Sequence, residues 1–263
     1  METLVTRETR RAIAQETVEI IERGGYGDVR LTEAVERAVA GTRLHLPDDP
    51  LPAPDGGGDP EIQVTNETSL AAARRGGVPM ACLNFASARS PGGGFLNGAE
   101  AQEESLARAS ALYPCLRAAD AYYEYHRAHR DPMYTDRVIY SPAVPVFRDD
   151  EGNLLPEPYP VSFLTAAAPN RTALDPDRWP EVPAVLARRA DRVLAVAAAH
   201  GHRHLVLGAW GCGVFGNDPA VVAQVFAAAL RRGPRFDQVV FAVLDRAPGT
   251  PTYTAFADVF PRA

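Results

Sequence analysis

Apolar residues near the start of the chain recur at helical spacing. Ile13, Val18, Ile20 and Ile21 form one stripe between residues 7 and 23, and Gly24 and Gly25 end it. A second helix is predicted over 31–43. The stretch HLPDDPLPAPDGGGDP that follows crowds Pro, Gly and Asp together, which makes it a loop. The pattern predicts three parts: a helical N-terminal extension over 1–45 packed on the core, a Pro/Gly-rich connecting loop over 46–60, and one larger domain over 61–263.

Beyond residue 60 the pattern alternates. EIQVTN reads as a strand, ETSLAAARRG as a helix, and VPMACLNFA as a buried-type strand feeding a glycine-rich loop. AQEESLARASALY is predicted helical, with Pro114 breaking or restarting it before CLRAADAYYEYHRAHR. RVIYSPAVPVF and YPVSFLTAAAPN read as strands, and VPAVLARRADRVLAVAAAH as a long helix ended by Gly201. RHLVLGAW, AVVAQVFAAALRR and FDQVVFAVL then give strand, helix and strand, with the loop GCGVFGNDP between the first two. Such alternation implies a sheet between helical layers in one α/β domain. Ligands of such sheets bind where strands run into loops at their carboxyl ends, which singles out the loops after Asn84 and after Trp210.

Composition narrows the function classes. The 263 residues carry a formal charge of −6, against a general nucleic-acid-binding face. All basic residues are Arg, so neither a Schiff-base lysine nor a P-loop lysine is available. Cys82, Cys115 and Cys212 are widely spaced and form no zinc framework. No run is apolar enough to span a bilayer and the N-terminus has no signal-peptide core, which favours the cytoplasm.

The two glycine loops invite an anion, because glycine lets a ligand approach backbone N–H groups and a helix N-terminus adds a favourable field. GCGVFG spells G-x-G-x-x-G from Gly211 to Gly216, but it lies late in the chain and no acidic ribose partner ends the next strand. Glu103 and Glu104 open a helix ten residues after the glycine run. As helix neighbours they diverge by roughly 100°, so one is free to catalyse while the other binds. HGHRH presents three alternating histidines without a supporting ligand pattern, and Cys212 has no partner at a nucleophile's spacing. YYEYHRAHR is read as a half-buried helix edge.

The segment NFASARSPGGGFLNGAEAQEESLARASALY resembles the signature of bacterial-type poly(ADP-ribose) glycohydrolases, a branch of the macrodomain fold. Its GGG run is Gly92, Gly93 and Gly94, and its QEE is Gln102, Glu103 and Glu104. VTNETSLAAAR and LGAWGCGVFGNDP are similar to the same family. The resemblance implies a three-layer α/β/α macrodomain-like sandwich with a central mixed sheet and an N-terminal helical appendage, residues 61–263 being the catalytic domain. It implies hydrolysis of the ribose–ribose bond of poly(ADP-ribose), cut from the chain end, with Glu104 as general acid and then base.

In that family's terms Glu103 and Gln102 would help to hold the riboses and the catalytic loop. Asn84, the glycines at 92–94 and Asn97 would lie near the distal ribose and diphosphate. Gly211, Gly213, Val214, Gly216 and Asn217 would close over the diphosphate, and Phe215 would pack on the distal ribose. Asn66 and Glu67 would serve the adenine. No cofactor or metal is implied. The partners would be poly(ADP-ribose) or ADP-ribose and ADP-ribosylated proteins, in a DNA damage response, with no membrane or nucleic acid and a monomeric chain. Two other readings are a macrodomain that binds ADP-ribose without turnover and a hydrolase of mono-ADP-ribosylated protein. QEE argues against the first, since readers generally lack it.

Overall fold

A computed structural model describes residues 6–52 and 58–261. The N-terminal region supplies helix α1 (Arg7–Glu22), a small hairpin β1 (Gly25–Tyr26) and β2 (Val29–Arg30), α2 (Thr32–Gly41) and β3 (Arg43–His45). Then come β4 (Glu61–Thr65), α3 (Ser69–Arg75), β5 (Ala81–Phe85), α4 (Gln102–Ala109), α5 (Leu112–Ala118), α6 (Asp120–Ala128), β6 (Val138–Arg148) and β7 (Leu154–Ala166). The chain continues through α7 (Val182–Ala199), β8 (His204–Leu207), α8 (Pro219–Arg232), β9 (Gln238–Ala242) and α9 (Pro251–Val259).

Seven strands form one mixed sheet in the order β3-β6-β7-β5-β8-β9-β4. The five strands from β7 to β4 are parallel, and β6 and β3 add antiparallel pairs at one edge. Strands buried on both faces need apolar residues at every position. In β5, Leu83 belongs to the core under α7, α8 and α9, while Cys82 belongs to the core under α4, α5 and α6. The result is the expected three-layer α/β/α sandwich.

Several boundaries differ from the pattern. The segment 1–45 ends in an edge strand of the main sheet, with Leu44 opposite Ile139, so it is more than an appendage. The helix predicted across 101–113 stops at Ser110, whose backbone turns extended (φ −143°). The Ser110 hydroxyl bonds back to the Leu106 carbonyl and accepts the Leu112 N–H, stopping one helix and starting the next. Pro114 breaks nothing: it lies in the first turn of α5, where its missing N–H has no partner to lose. The C-terminal α9, which the pattern did not single out, packs on α8 and β4.

β5 and β8 are neighbours, with Cys82 opposite Val206. Their carboxyl ends open into the two glycine loops, which therefore meet side by side at one end of the sheet.

Candidate active site

Both glutamates of α4 reach back to the glycine loop. Glu103 is 3 % exposed. Its Oε2 accepts the Ser87 N–H at 2.6 Å and its Oε1 accepts Asn84 Nδ2 at 3.3 Å. Burial pushes its pKa up to about 8, against the hydrogen bond from Ser87, and the neighbouring Glu104 raises it further. Glu104 is half-buried. Its Oε1 accepts the Gly94 N–H at 2.9 Å, and its Oε2 has no protein hydrogen-bond partner among the described residues.

Helix geometry splays adjacent side chains, yet the loop folds over both carboxyls. Gly93 sits at φ +59°, where an added methyl would collide with Glu104 Oε1 and lie 3.2 Å from Glu103 Oε2. Only glycine lets the backbone pass this close.

The Gln102 amide is engaged by the protein. Its Oε1 accepts the Phe85 N–H at 2.8 Å, and its Nε2 donates to Leu83 O at 2.7 Å and Ser69 Oγ at 3.0 Å. Those bonds hook the start of α4 onto β5 and α3. Asn97 is exposed, and its carbonyl accepts Arg7 Nε at 3.0 Å. Alongside it, Arg10 Nε donates to Gly98 O at 3.0 Å, and Thr17 Oγ1 donates to Arg108 O at 2.7 Å. The N-terminal helix is thus a brace for the catalytic loop, a role that its apolar stripe gave no sign of.

The amides of the first loop are spent on the protein. Gly93 N–H goes to Ser90 O and Gly94 N–H to Glu104, while the Gly92 amide bears on Glu103. The Gly92 and Gly94 donors hold the carboxyl groups of α4, and the Gly93 donor closes the loop on itself.

The second loop is the reverse. Cys212, Gly216 and Asn217 amides bond within the loop or to Ala209. Gly213, Val214 and Phe215 amides have no protein acceptor among the described residues. Three successive unspent N–H groups ahead of α8 are available to an anion. Gly211 (φ +74°) packs where a methyl would collide with Asn217 Nδ2 and sit 2.6 Å from Ala168 Cβ. Thr172 ties the loop down, its N–H on Phe215 O at 3.2 Å and its hydroxyl on Val214 O at 3.2 Å. Asn84 Oδ1 and Asn217 Oδ1 are buried with no hydrogen-bond partner among the described residues.

Asn66 and Glu67 end β4, three strands from β5, which at a strand spacing near 4.8 Å is about 14 Å away. Asn66 uses both ends of its amide on the Asp245 backbone, at 2.9 and 3.1 Å, and Glu67 pairs with Arg75 at 2.8 Å. Cys212 is no nucleophile: burial pushes its thiol up to about 12. Of the histidines, His200 Nε2 lies 2.9 Å from His45 Nε2, and His202 Nε2 lies 2.9 Å from the Tyr140 hydroxyl.

Ser87 and Thr165 escape a reading of the sequence. Ser87 gives Glu103 its backbone N–H, which leaves no trace in residue type, while its hydroxyl accepts the Arg89 and Ser90 N–H groups at 3.3 and 3.2 Å and shapes the loop. Thr165, 3.2 Å from Asn84 Nδ2, is signalled only as a lone polar residue near the end of an apolar strand.

The family described as microbial-type PARG, catalytic domain, matches residues 14–149. The chain belongs to this family. Among solved structures, the poly(ADP-ribose) glycohydrolase of Thermomonospora curvata is 56 % identical, with a TM-score of 0.91 over 96 % of this chain and all of that one. The same enzyme bound to the inhibitor ADP-HPD is 54 % identical, with a TM-score of 0.89 over 95 % of this chain and 99 % of that one. The Deinococcus radiodurans enzyme in complex with ADP-ribose is 46 % identical, with a TM-score of 0.80 over 89 % of this chain and 99 % of that one. No curated protein matches. Membership in the glycohydrolase family makes the chain a glycosidase, with the macrodomain-like sandwich as its scaffold.

Proposed function

We propose that the chain hydrolyses the O-glycosidic ribose–ribose bond of poly(ADP-ribose) from the chain end and releases ADP-ribose, with Glu104 as acid and then base. The observation that carries this is the arrangement of Glu104: one oxygen anchored on the Gly94 amide, the other unengaged, over a loop that admits no side chain. Glu104 gives its proton to the departing ribose oxygen as positive charge builds at the anomeric carbon of the distal ribose. Its carboxylate then takes a proton from the attacking water, so the group ends as it began. Glu103, buried beside it with both oxygens accepting N–H groups, holds the loop in place.

Ligand recognition divides along the sheet. The Gly213, Val214 and Phe215 amides suit the diphosphate. Asn84 is fully buried, so it would act on the distal ribose through Glu103, to which its amide donates. Phe215 would pack on the distal ribose. Asn66 and Glu67, at the far edge strand, stand at a distance that suits an adenine.

The test is a time course on purified poly(ADP-ribose), with products resolved by length. ADP-ribose as the first product, with gradual shortening of the polymer, supports end cutting. Early oligomers would mean internal cutting. Tight binding of ADP-ribose without any product would mean a reader.

A further inference from the structure

Between α6 and β6 the chain runs through residues 129–137 at the same end of the sheet as the two glycine loops, since Ile139 pairs with Thr165 and Thr165 with Asn84. This segment bridges the loops. Arg89 of the first loop donates to Arg130 O at 3.3 Å. On the other side Asn170 N–H donates to Pro132 O at 2.8 Å, and Thr172, two residues on, holds the second loop.

In the middle of the bridge stands Tyr134, with φ +56°. A bulky residue in the left-handed region is an outlier, where glycine or asparagine fits more cheaply. The conformation is enforced from both sides. Tyr134 N–H donates to Asp131 O at 3.0 Å, and Arg189, fully buried, donates to Met133 O at 2.9 Å. Thr135 Oγ1 lies 2.8 Å from His126 Nε2. Backbone strain of this kind gathers at functional sites.

The strain delivers the Tyr134 ring to a specific place. It meets Phe215 at 6.0 Å between centroids and 46° between planes, and it stands edge-on to His126 at 5.8 Å and 88°. Its hydroxyl has no hydrogen bond among the described residues, so the ring itself makes these contacts. Phe215 is also held by the Thr172 N–H on its carbonyl and by packing of its side chain against the core under α7, α8 and α9, so Tyr134 backs the ring on its remaining side.

We propose that Tyr134 is a positioning residue of the reaction, backing the Phe215 ring and so setting the angle at which Phe215 holds the distal ribose over Glu104. This rests on the reading of Phe215 given under the proposed function. The diphosphate is gripped by amides, so Tyr134 governs the orientation of the sugar and not the affinity for ADP-ribose.

The experiment measures kcat and KM on poly(ADP-ribose), Kd for ADP-ribose, and Tm. The proteins are the wild type, Tyr134→Phe, Tyr134→Ala, Tyr134→Asn, Phe215→Ala and the double variant Tyr134→Ala/Phe215→Ala. Tyr134→Asn takes the left-handed backbone without strain, so it keeps the fold while losing the ring. Tyr134→Phe is expected to stay within about twofold of the wild type, because the ring and not the hydroxyl makes the contacts. The Ala and Asn variants are expected to lose about tenfold in kcat, with Kd for ADP-ribose within about threefold, as a small misorientation of the sugar implies. The double variant is expected to be no slower than Phe215→Ala alone, because the two residues act as one unit.

Full activity in Tyr134→Asn would overturn the proposal. So would losses that multiply in the double variant, or a Tyr134→Phe as slow as Tyr134→Ala. An inactive wild type would instead overturn the reaction itself, and the role of Tyr134 with it.

Discussion

Two loops of similar glycine content sit side by side at the ends of β5 and β8, and they spend their backbone in opposite ways. In the first, the Gly93 and Gly94 amides are committed to Ser90 O and to Glu104, and the N-terminal helix clamps the loop from outside through Arg7 and Arg10. In the second, the Gly213, Val214 and Phe215 amides are unspent, and Val214 is 81 % exposed. Glycine content alone does not distinguish them. Where their N–H groups go does: one loop orients a carboxylate, and the other is left ready for an anion.

The contrast can be broken one loop at a time. The largest expected effect is at Glu104, where Glu104→Gln removes the proton donor and lowers kcat about 10³-fold, within the range for general acid–base catalysis. Next is Gly93→Ala, which puts a methyl into the Glu104 carboxyl at a left-handed backbone position. Displacing a reacting group by about 1 Å costs about 10²-fold, and steady-state kinetics would read that as a fall in kcat. In the second loop, Val214→Pro deletes one unspent N–H and is expected to weaken ADP-ribose binding about tenfold by calorimetry, the worth of one hydrogen bond to a charged group. Gly213→Ala meets no protein atom within 4 Å of the added methyl, so a loss of binding there would report how closely the ligand approaches the backbone.

A separate effect is a pH-dependent one on stability. Glu103 has a folded pKa of about 8 against 4.5 unfolded, so the folded state holds the extra proton between those values. Its contribution to stability is fully present below 4.5 and is lost as pH rises through 8. Thermal melts of Glu103→Gln against the wild type should show a difference moving in favour of the variant as pH climbs from 4.5 to 8. His126 and His200 work in the other direction. Burial holds both at about 4, so their contribution is present above 6.5 and is lost as pH falls through 4.

The sequence made the strands, both loops and the QEE tripeptide legible, because buried parallel strands read as apolar runs and glycines punctuate them. What a side chain does when it touches only backbone was not legible. Gln102 looked like a ligand contact, and its amide is wholly used in fastening α4 to β5 and α3. The bracing by α1 depends on Arg7, Arg10 and Thr17, polar residues that a search for apolar periodicity passes over. Ser110 ended a helix that its neighbours would have continued, through hydrogen bonds of its hydroxyl that compete with the helix ladder. Tyr134 leaves no mark in the pattern at all, since a backbone angle has no letter.

The most direct measurement is to determine, side by side, kcat on poly(ADP-ribose) and Kd for ADP-ribose in the wild type, Glu104→Gln and Val214→Pro. A division of labour between the loops predicts that Glu104→Gln loses turnover and keeps its affinity, while Val214→Pro loses affinity and keeps kcat at saturating polymer. Loss of both properties in both variants, or turnover that persists without the Glu104 carboxyl, would contradict it.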